Sequence, residues 1–566
     1  MMLTRRLRLG AMLLLTASPL FLWPSMAISK PPMAAVASAH PLATEAGFEI
    51  LDQGGNAFDA AIAISAALAV VEPYGSGMGG GGFWLLHQAA NNRNVMIDGR
   101  ETAPAAATRD MYLDNDGKVE RDWAINGPAA AGIPGQPAAL AHIGERYGRL
   151  PLAVSLAPAI RFAREGFSVS EHYRRMALIR RDALTRSPEA RRLFLDNGEV
   201  PVLGHRIVQP ELADLLETLA TQGHKGFYEG TIAQALAEGV QENGGLWTLE
   251  DLANYRVVER DPVVGQFRGA RIISAAPPSS GGVVLLQTLN MLERFNDGRI
   301  EPALFPHITV EALRRAYRDR ALHLGDPDYI EMPLQRLLDK DYARTQAASI
   351  RLDRATPSAS LGEPVTVEQG SDTSHFSVLD QDGNRVAATL SINLPFGAAF
   401  VVPGTGLLLN NEMDDFSANP GSPNAYGLVG GEANAIAPGK RPLSSMTPTF
   451  VEWDGKVAIL GTPGGSRIIS MVLLGVLDAL DGRPVSDWVS RPRFHHQYLP
   501  DRVQGEPDFV GTEAGKSLLV RGHDMESTGR RYGNMQVVYW DSRRQQVAAA
   551  ADPRGEGLAT ARPAKQ

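Results

Sequence analysis

The chain has no cysteine. That excludes disulfides, thiolate nucleophiles and Cys-ligated zinc or iron–sulfur centres. It also lacks a strong charge excess: 55 basic and 63 acidic side chains are interspersed, for a net charge of −8. Neither nucleic acid nor an anionic membrane is indicated as a partner. There is no G-x-S-x-G elbow, so a serine hydrolase triad of that kind is disfavoured. Gly511-Thr512-Glu513-Ala514-Gly515-Lys516-Ser517 is one residue short of a phosphate loop. His495-His496 lacks metal-ligand spacing and reads as structural.

Beyond the N-terminus no stretch is long and apolar enough to span a bilayer. Leu9 to Trp23 follows Arg5, Arg6 and Arg8 and precedes the small-x-small site Ser25-Met26-Ala27. Residues 1–27 therefore read as a secretory signal peptide, with Arg5-Arg6 also permitting twin-arginine export. An uncleaved anchor is the alternative, but the run falls short of the ~20 residues a span needs. With 44% hydrophobic and 21% charged residues among 566, the rest is ordinary globular composition with chain enough for a large core. A secreted chain without disulfides must be held by that core, which fits a periplasmic protein.

Helical and strand patterns alternate throughout. Ala57 to Val71 predicts a helix that is apolar all round and stops before Pro73. Glu211 to Ala220 and Ile232 to Val240 predict amphipathic helices, and Thr248-Leu249-Glu250-Asp251 is a helix-start signal. Phe83 to Leu86, Arg271 to Ser274, Thr449 to Val451 and Val457 to Leu460 predict strands. The stretch Arg354 to Gly370 reads as exposed and flexible, and the tail after Gly555 as polar and loose.

The most informative segment is Asp372 to Asn393. Apolar alternation on two arms around a Gly-bearing turn predicts a β-hairpin. With the turn centred on Asp382, residue 379 faces 385, 377 faces 387, 375 faces 389, and Thr373 faces Ser391. Opposed residues have Cβ atoms roughly 4.5–5.5 Å apart. Two hydroxyls that close, at the open end of a hairpin, suit an N-terminal nucleophile. A Thr at a chain start can use its own α-amine as general base. The same segment is also compatible with an ordinary polar-faced hairpin.

The surrounding motifs are Gly79-Gly80-Gly81-Gly82-Phe83, Asp98-Gly99-Arg100-Glu101-Thr102-Ala103-Pro104, Leu408 to Ser417, Pro420 to Gly431, Lys440 to Pro448 and Gly461 to Arg467. In order and spacing they resemble the γ-glutamyltransferase (γ-glutamyltranspeptidase) family, from about residue 35 to about residue 555. The resemblance implies an α+β, four-layer αββα N-terminal-nucleophile hydrolase fold, with two stacked antiparallel sheets between helical layers. It implies a precursor that cuts itself between Asp372 and Thr373, leaving residues 28–372 as large subunit and 373–566 as small subunit in one interlocked core. Thr373 would be the nucleophile, Ser391 its hydroxyl partner in place of the Thr of many members, and Gly464 and Gly465 the oxyanion hole. Arg100, Ser444 and Ser445 would bind the substrate α-carboxylate. Asp415 and Glu412, assisted by Asn393, would hold the α-ammonium.

Residues 420–431 match a lid loop with Tyr426 as its gating aromatic. A lid favours small substrates such as glutathione, with amino acids or dipeptides as acceptors. No cofactor or metal is required, and Glu412 to Asp415 has no EF-hand spacing. Two other readings remain. An acylase acting on glutaryl side chains would have no need of an ammonium site. An inactive binding protein would be expected to show damage at Thr373 or Gly464-Gly465, and none is present.

Overall fold

Strand Ser374–Leu379 pairs antiparallel with Arg385–Ser391, with Leu379 opposite Arg385, Ser377 opposite Ala387 and His375 opposite Thr389. This is the predicted register, seen in a computed structural model that describes residues 30–295, 301–362, 373–419 and 430–564. The predicted signal segment 1–27, Asp372 and Tyr426 lie outside the described residues. The turn is set by Asp380, whose carboxylate accepts the amides of Asp382 and Asn384, each at 2.9 Å. Gly383 supplies the left-handed residue the turn needs, at φ +91°.

This hairpin forms the middle of a seven-stranded sheet. Its spatial order is Leu558–Arg562, Ala34–Ser38, Ser374–Leu379, Arg385–Ser391, Gly81–Gln88, Arg93–Gly99 and Val258–Arg260, antiparallel throughout. A six-stranded antiparallel sheet stacks on it, in the order Gln546–Ala551, Gln536–Asp541, Lys456–Gly461, Thr449–Trp453, Ala270–Ser274 and Val263–Phe267. All four strands predicted from pattern lie in these sheets.

Strand alternation sends each hairpin arm into two different cores. Phe376, Val378, Val386, Ala388 and Leu390 pack with helices Pro41–Asp52, Ala57–Val71 and Leu152–Glu165. Leu379 and Ala387 face the second sheet, whose Phe450, Ala458 and Ile459 share their core with helices Gly281–Leu292, Phe305–His323 and Ile468–Leu480. The layers therefore run helix, sheet, sheet, helix, the αββα arrangement. His375 and Ser377 also look into the inter-sheet layer and are satisfied there, by Thr389 Oγ1 at 2.8 Å and by the Gln536 carbonyl at 3.1 Å. By the same alternation Thr373 and Ser391 belong to that face, at its open end.

Helix Ala57–Val71 starts at a capping box between Asn56 and Asp59, and all of its residues are buried, as an all-round apolar pattern requires. The amphipathic segments lie in helices Pro210–Gln222 and Gly230–Glu242, and Thr248 caps Leu249–Asn254 through Asp251.

Two expectations are corrected. The tail is not loose: Leu558–Arg562 is an edge strand paired with Ala34–Ser38. Its backbone hydrogen bonds fix it, and small side chains such as Ala559 and Ala561 give little pattern to read. Nor is the whole of 354–370 exposed and flexible. Ser358 is buried, donating its hydroxyl to the Tyr498 carbonyl and its amide to Asp501, and Thr356 N donates to Glu311. Residues 363–370 lie outside the described part.

Candidate active site

Thr373 immediately precedes the central strand Ser374–Leu379 and is buried. It fronts two spaces. The inner one, about 20 Å³, is bounded also by Arg100, Ser391, Asn393, Glu412, Asp415, Ser444, Ser445 and Gly465. The outer one is a cleft of about 940 Å³ lined by Gly464 as well as Thr373. The residues singled out from the sequence thus converge on Thr373, from segments far apart in the chain. Asp372 and Tyr426 are the exceptions, lying outside the described residues.

Local backbone explains the convergence. Arg100 leaves the end of strand Arg93–Gly99. Glu412–Asp415 is one 3₁₀ turn, so its first and last side chains meet the same guanidinium. Asn393 takes a left-handed conformation, φ +74°, and its amide donates to Ser391 Oγ at 2.7 Å. Ser391 is approached closely by the glycine run: a Cβ at Gly80 would lie 2.1 Å from the Ser391 carbonyl. Ser444 is pinned beside Ser280, whose amide and hydroxyl both donate to the Ser444 carbonyl, at 2.8 and 2.7 Å.

Electrostatics concentrate on Arg100, which is fully buried. Its Nη1 lies 2.9 Å from Glu412 Oε2 and 3.5 Å from Glu101 Oε2, its Nη2 lies 2.5 Å from Asp415 Oδ2, and its Nε donates to the Pro442 carbonyl. Burial disfavours the guanidinium charge, but the three carboxylates outweigh it and hold its pKa above the usual range. One cation does not offset the burial of both Glu101 and Glu412. Burial accordingly pushes Glu412 up to about 7, against the pull of Arg100. Burial, reinforced by Glu412, raises Glu101 well above the carboxylate range.

Gly464 has φ +139° and Gly465 φ +56°, conformations open to glycine. They open a 3₁₀ turn, Gly465–Arg467, that runs into helix Ile468–Leu480. Their amides precede the first intrahelical bond, Arg467 N to Gly464 O at 3.1 Å. Amides at such a start have no acceptor within the helix and favour negative charge.

Several residues at the site carry no signal that sequence reading detected. Glu101 follows Arg100 directly, yet nothing local distinguishes it from an exposed acid. Arg320, buried, donates to Ser280 Oγ at 2.8 Å and to Ser445 Oγ at 3.4 Å. Tyr317 donates its hydroxyl to the Ser466 carbonyl behind Gly465. Glu72 accepts the hydroxyl of Ser374, next to Thr373, at 2.7 Å. The one detectable hint is the density of charge in the buried helix Phe305–His323, which also carries Glu311, Arg314 and Asp319. Among the described residues, His307, Glu311 and His523 have ligand atoms near enough for a metal. Glu311 is instead held by Arg314 and Arg315, and His307 Nδ1 is hydrogen-bonded to His523 Nε2 at 2.7 Å. His495 and His496 are buried, partnered by Ser470, Gln497 and Asp501.

Two stacked antiparallel sheets between helical layers, with a threonine at the head of a central strand, define an N-terminal-nucleophile hydrolase. Comparison with known proteins narrows the class. The gamma-glutamyltranspeptidase family profile matches residues 43–562, and the chain belongs to that family. It is 44% identical over 480 residues to a glutathione hydrolase proenzyme of Escherichia coli (strain K12), covering 84% of this chain and 83% of that one. The crystal structure of cephalosporin acylase from Bacillus halodurans superposes with a TM-score of 0.81 at 28% identity, over 96% of this chain and 99% of that one. The gamma-glutamyltranspeptidase of Helicobacter pylori gives a TM-score of 0.55 at 39% identity, over 58% of this chain and 94% of that chain.

Proposed function

We propose that the protein is a γ-glutamyltransferase and glutathione hydrolase that cuts itself before Thr373. In the precursor, the Thr373 hydroxyl adds to the carbonyl of Asp372. The C–N bond breaks, which frees the α-amine of Thr373 and leaves an ester on its hydroxyl; water then opens the ester, giving the Asp372 carboxylate and restoring the hydroxyl. In the processed enzyme that amine takes the proton of the Thr373 hydroxyl as the oxygen attacks the γ-carbonyl of glutathione. The amides of Gly464 and Gly465 receive the oxyanion, and the cysteinylglycine amine leaves with the proton. Water, an amino acid or a dipeptide then adds to the γ-glutamyl ester and restores Thr373. No step calls for a metal or cofactor.

The observation that carries the reading is the chemistry gathered beside Thr373: Arg100, paired with Glu412 and Asp415, lines one cavity with Ser444 and Ser445. A cation with hydroxyls matches an α-carboxylate, and paired carboxylates match an α-ammonium. A glutaryl side chain has no ammonium for Glu412 and Asp415 to meet, so the acylase reading is not favoured. Nothing at Thr373 or Gly464-Gly465 is degraded, which also weighs against a binding protein. We assign residues 28–372 and 373–566 to the two subunits and the periplasm as location, after removal of a signal segment at 1–27. In keeping with the last point, no helix among the described residues is long and apolar enough to cross a membrane.

Intact mass and N-terminal sequencing after incubation test this directly. Two fragments are expected, the smaller beginning Thr373-Ser374-His375, and the Thr373→Ala protein should stay whole and inactive. A wild-type chain that remains uncut would overturn the assignment.

A further inference from the structure

The outer cleft is lined by six arginines, although the chain as a whole carries a net charge of −8. Four are already engaged. Arg121 pairs with Asp414 at 3.1 Å, Arg531 with Asp508, and Arg554 with Glu506 at 2.7 Å and Asp552 at 3.1 Å. Arg180 is buried and donates to Asn126 Oδ1 and to the carbonyls of Pro395 and Gly397. Arg175 and Arg530 differ. Both are exposed, and among the described residues neither forms an ion pair. Arg175 sits on helix Glu171–Arg186 and Arg530 on the loop after strand Met525–Ser527, so they come from opposite sides of residue 373 in the chain.

Both reach the same place. Arg175 Nη2 donates to His172 Nδ1 at 2.7 Å, so that imidazole nitrogen is an acceptor. Burial lowers His172 to about 4, and the charges of Arg175 and Arg530 push the same way, against Glu556. His172 therefore adds no charge of its own near neutrality. Among the described residues, the only carboxylate lining the cleft is Glu72, buried, hydrogen-bonded by Ser374 and raised to about 7 chiefly by that burial. A concave surface with unmatched positive charge focuses its field on an anion.

On the reading above the γ-glutamyl group binds beside Arg100, so whatever is attached to its amide must lie in the outer cleft. We propose that Arg175 and Arg530 form a subsite for the terminal carboxylate of the leaving peptide, and of the acceptor that enters in its place, making the enzyme selective for carboxylate-terminated partners over neutral amines. The inference rests on the γ-glutamyl transfer reading above. The arginines do not touch the reacting atoms; they fix specificity.

The test compares three substrates: glutathione, glutathione amidated at its terminal carboxyl, and a γ-glutamyl anilide whose leaving group is uncharged. In the unaltered processed enzyme, kcat/KM for glutathione should exceed that for the amide about tenfold, mostly through KM, and the ratio should shrink with added salt. In Arg175→Ala/Arg530→Ala the ratio should fall to near one. Arg175→Glu/Arg530→Glu should prefer the amide, and Lys at both positions should restore part of the ratio. General damage to the fold lowers both substrates together and leaves the ratio where it was. Anilide turnover with glutathione and its amide processed alike would overturn the subsite and leave γ-glutamyl transfer standing. Failure to turn over the anilide would overturn both.

Discussion

Arg100 serves three carboxylates, and the imbalance gives Glu412 a protonation state that matters. To receive an α-ammonium, Glu412 must be ionised. Its pKa is raised to about 7 by burial, so kcat/KM for γ-glutamyl substrates should fall as pH drops below about 7. Glu412→Gln should lose that limb of the profile while its KM at pH 8 rises about tenfold, as expected for one charge-assisted hydrogen bond made neutral. Stability runs the other way. A carboxyl whose folded pKa lies above its unfolded one holds a proton in the native state that the unfolded chain has released. Its stabilising contribution is complete below about 4.5 and is lost as pH rises through about 7. Urea unfolding at pH 5 and pH 8 should therefore show a smaller difference in Glu412→Gln than in wild type. An unchanged difference would mean that Glu412 is ionised throughout.

Between strand Lys456–Gly461 and helix Ile468–Leu480, the Gly464-Gly465 turn shows how an element aims backbone rather than side chains. Alanine at Gly464 would have to adopt φ +139° and would bring a Cβ to 2.6 Å from Met471 Cε. The turn must then shift, although the strand and helix need not. Gly464→Ala should lower kcat by about 10- to 100-fold with little change in KM, since a misplaced oxyanion donor is missed only in the transition state. A matching rise in KM would point to disruption of the γ-glutamyl site instead. At this scale the sequence was widely readable. The hairpin register, the capping box at Thr248 and the all-apolar helix Ala57–Val71 are short-range patterns with short-range causes. Strand Leu558–Arg562 escaped because its partner, Ala34–Ser38, lies more than five hundred residues away and its side chains are mostly small. Arg320 and Tyr317 escaped for a related reason: each acts through a serine on another element, and a helix pattern records only which face is buried.

The molecule as a whole is woven across the proposed cut. In the seven-stranded sheet, Ser374–Leu379 lies between Ala34–Ser38 and its hairpin partner, and Arg385–Ser391 lies against Gly81–Gln88. The second sheet likewise joins Ala270–Ser274 to Thr449–Trp453. Neither part holds either of the two large sheets whole, so both contribute strands to one core. That architecture, and a site drawn from residues as distant as Arg100 and Ser445, could not be assembled from local patterns. Only the order and spacing of motifs over the whole chain made it legible in advance.

One pairing has a bearing on how such an enzyme is made. Ala34 lies opposite Arg562 on adjacent antiparallel strands, so the first and last strands end side by side at one edge. A short linker could join them, and the gene could then open at the threonine codon instead. Such a circular permutant, running from Thr373 through the joined ends to residue 362, would carry a free amine on Thr373 once the initiator methionine is removed. It should hydrolyse glutathione without a maturation lag. A folded but inactive permutant would mean that scission does more than liberate an amine. In an active one, a zymogen would have been turned into a constitutive enzyme by moving the point at which translation begins.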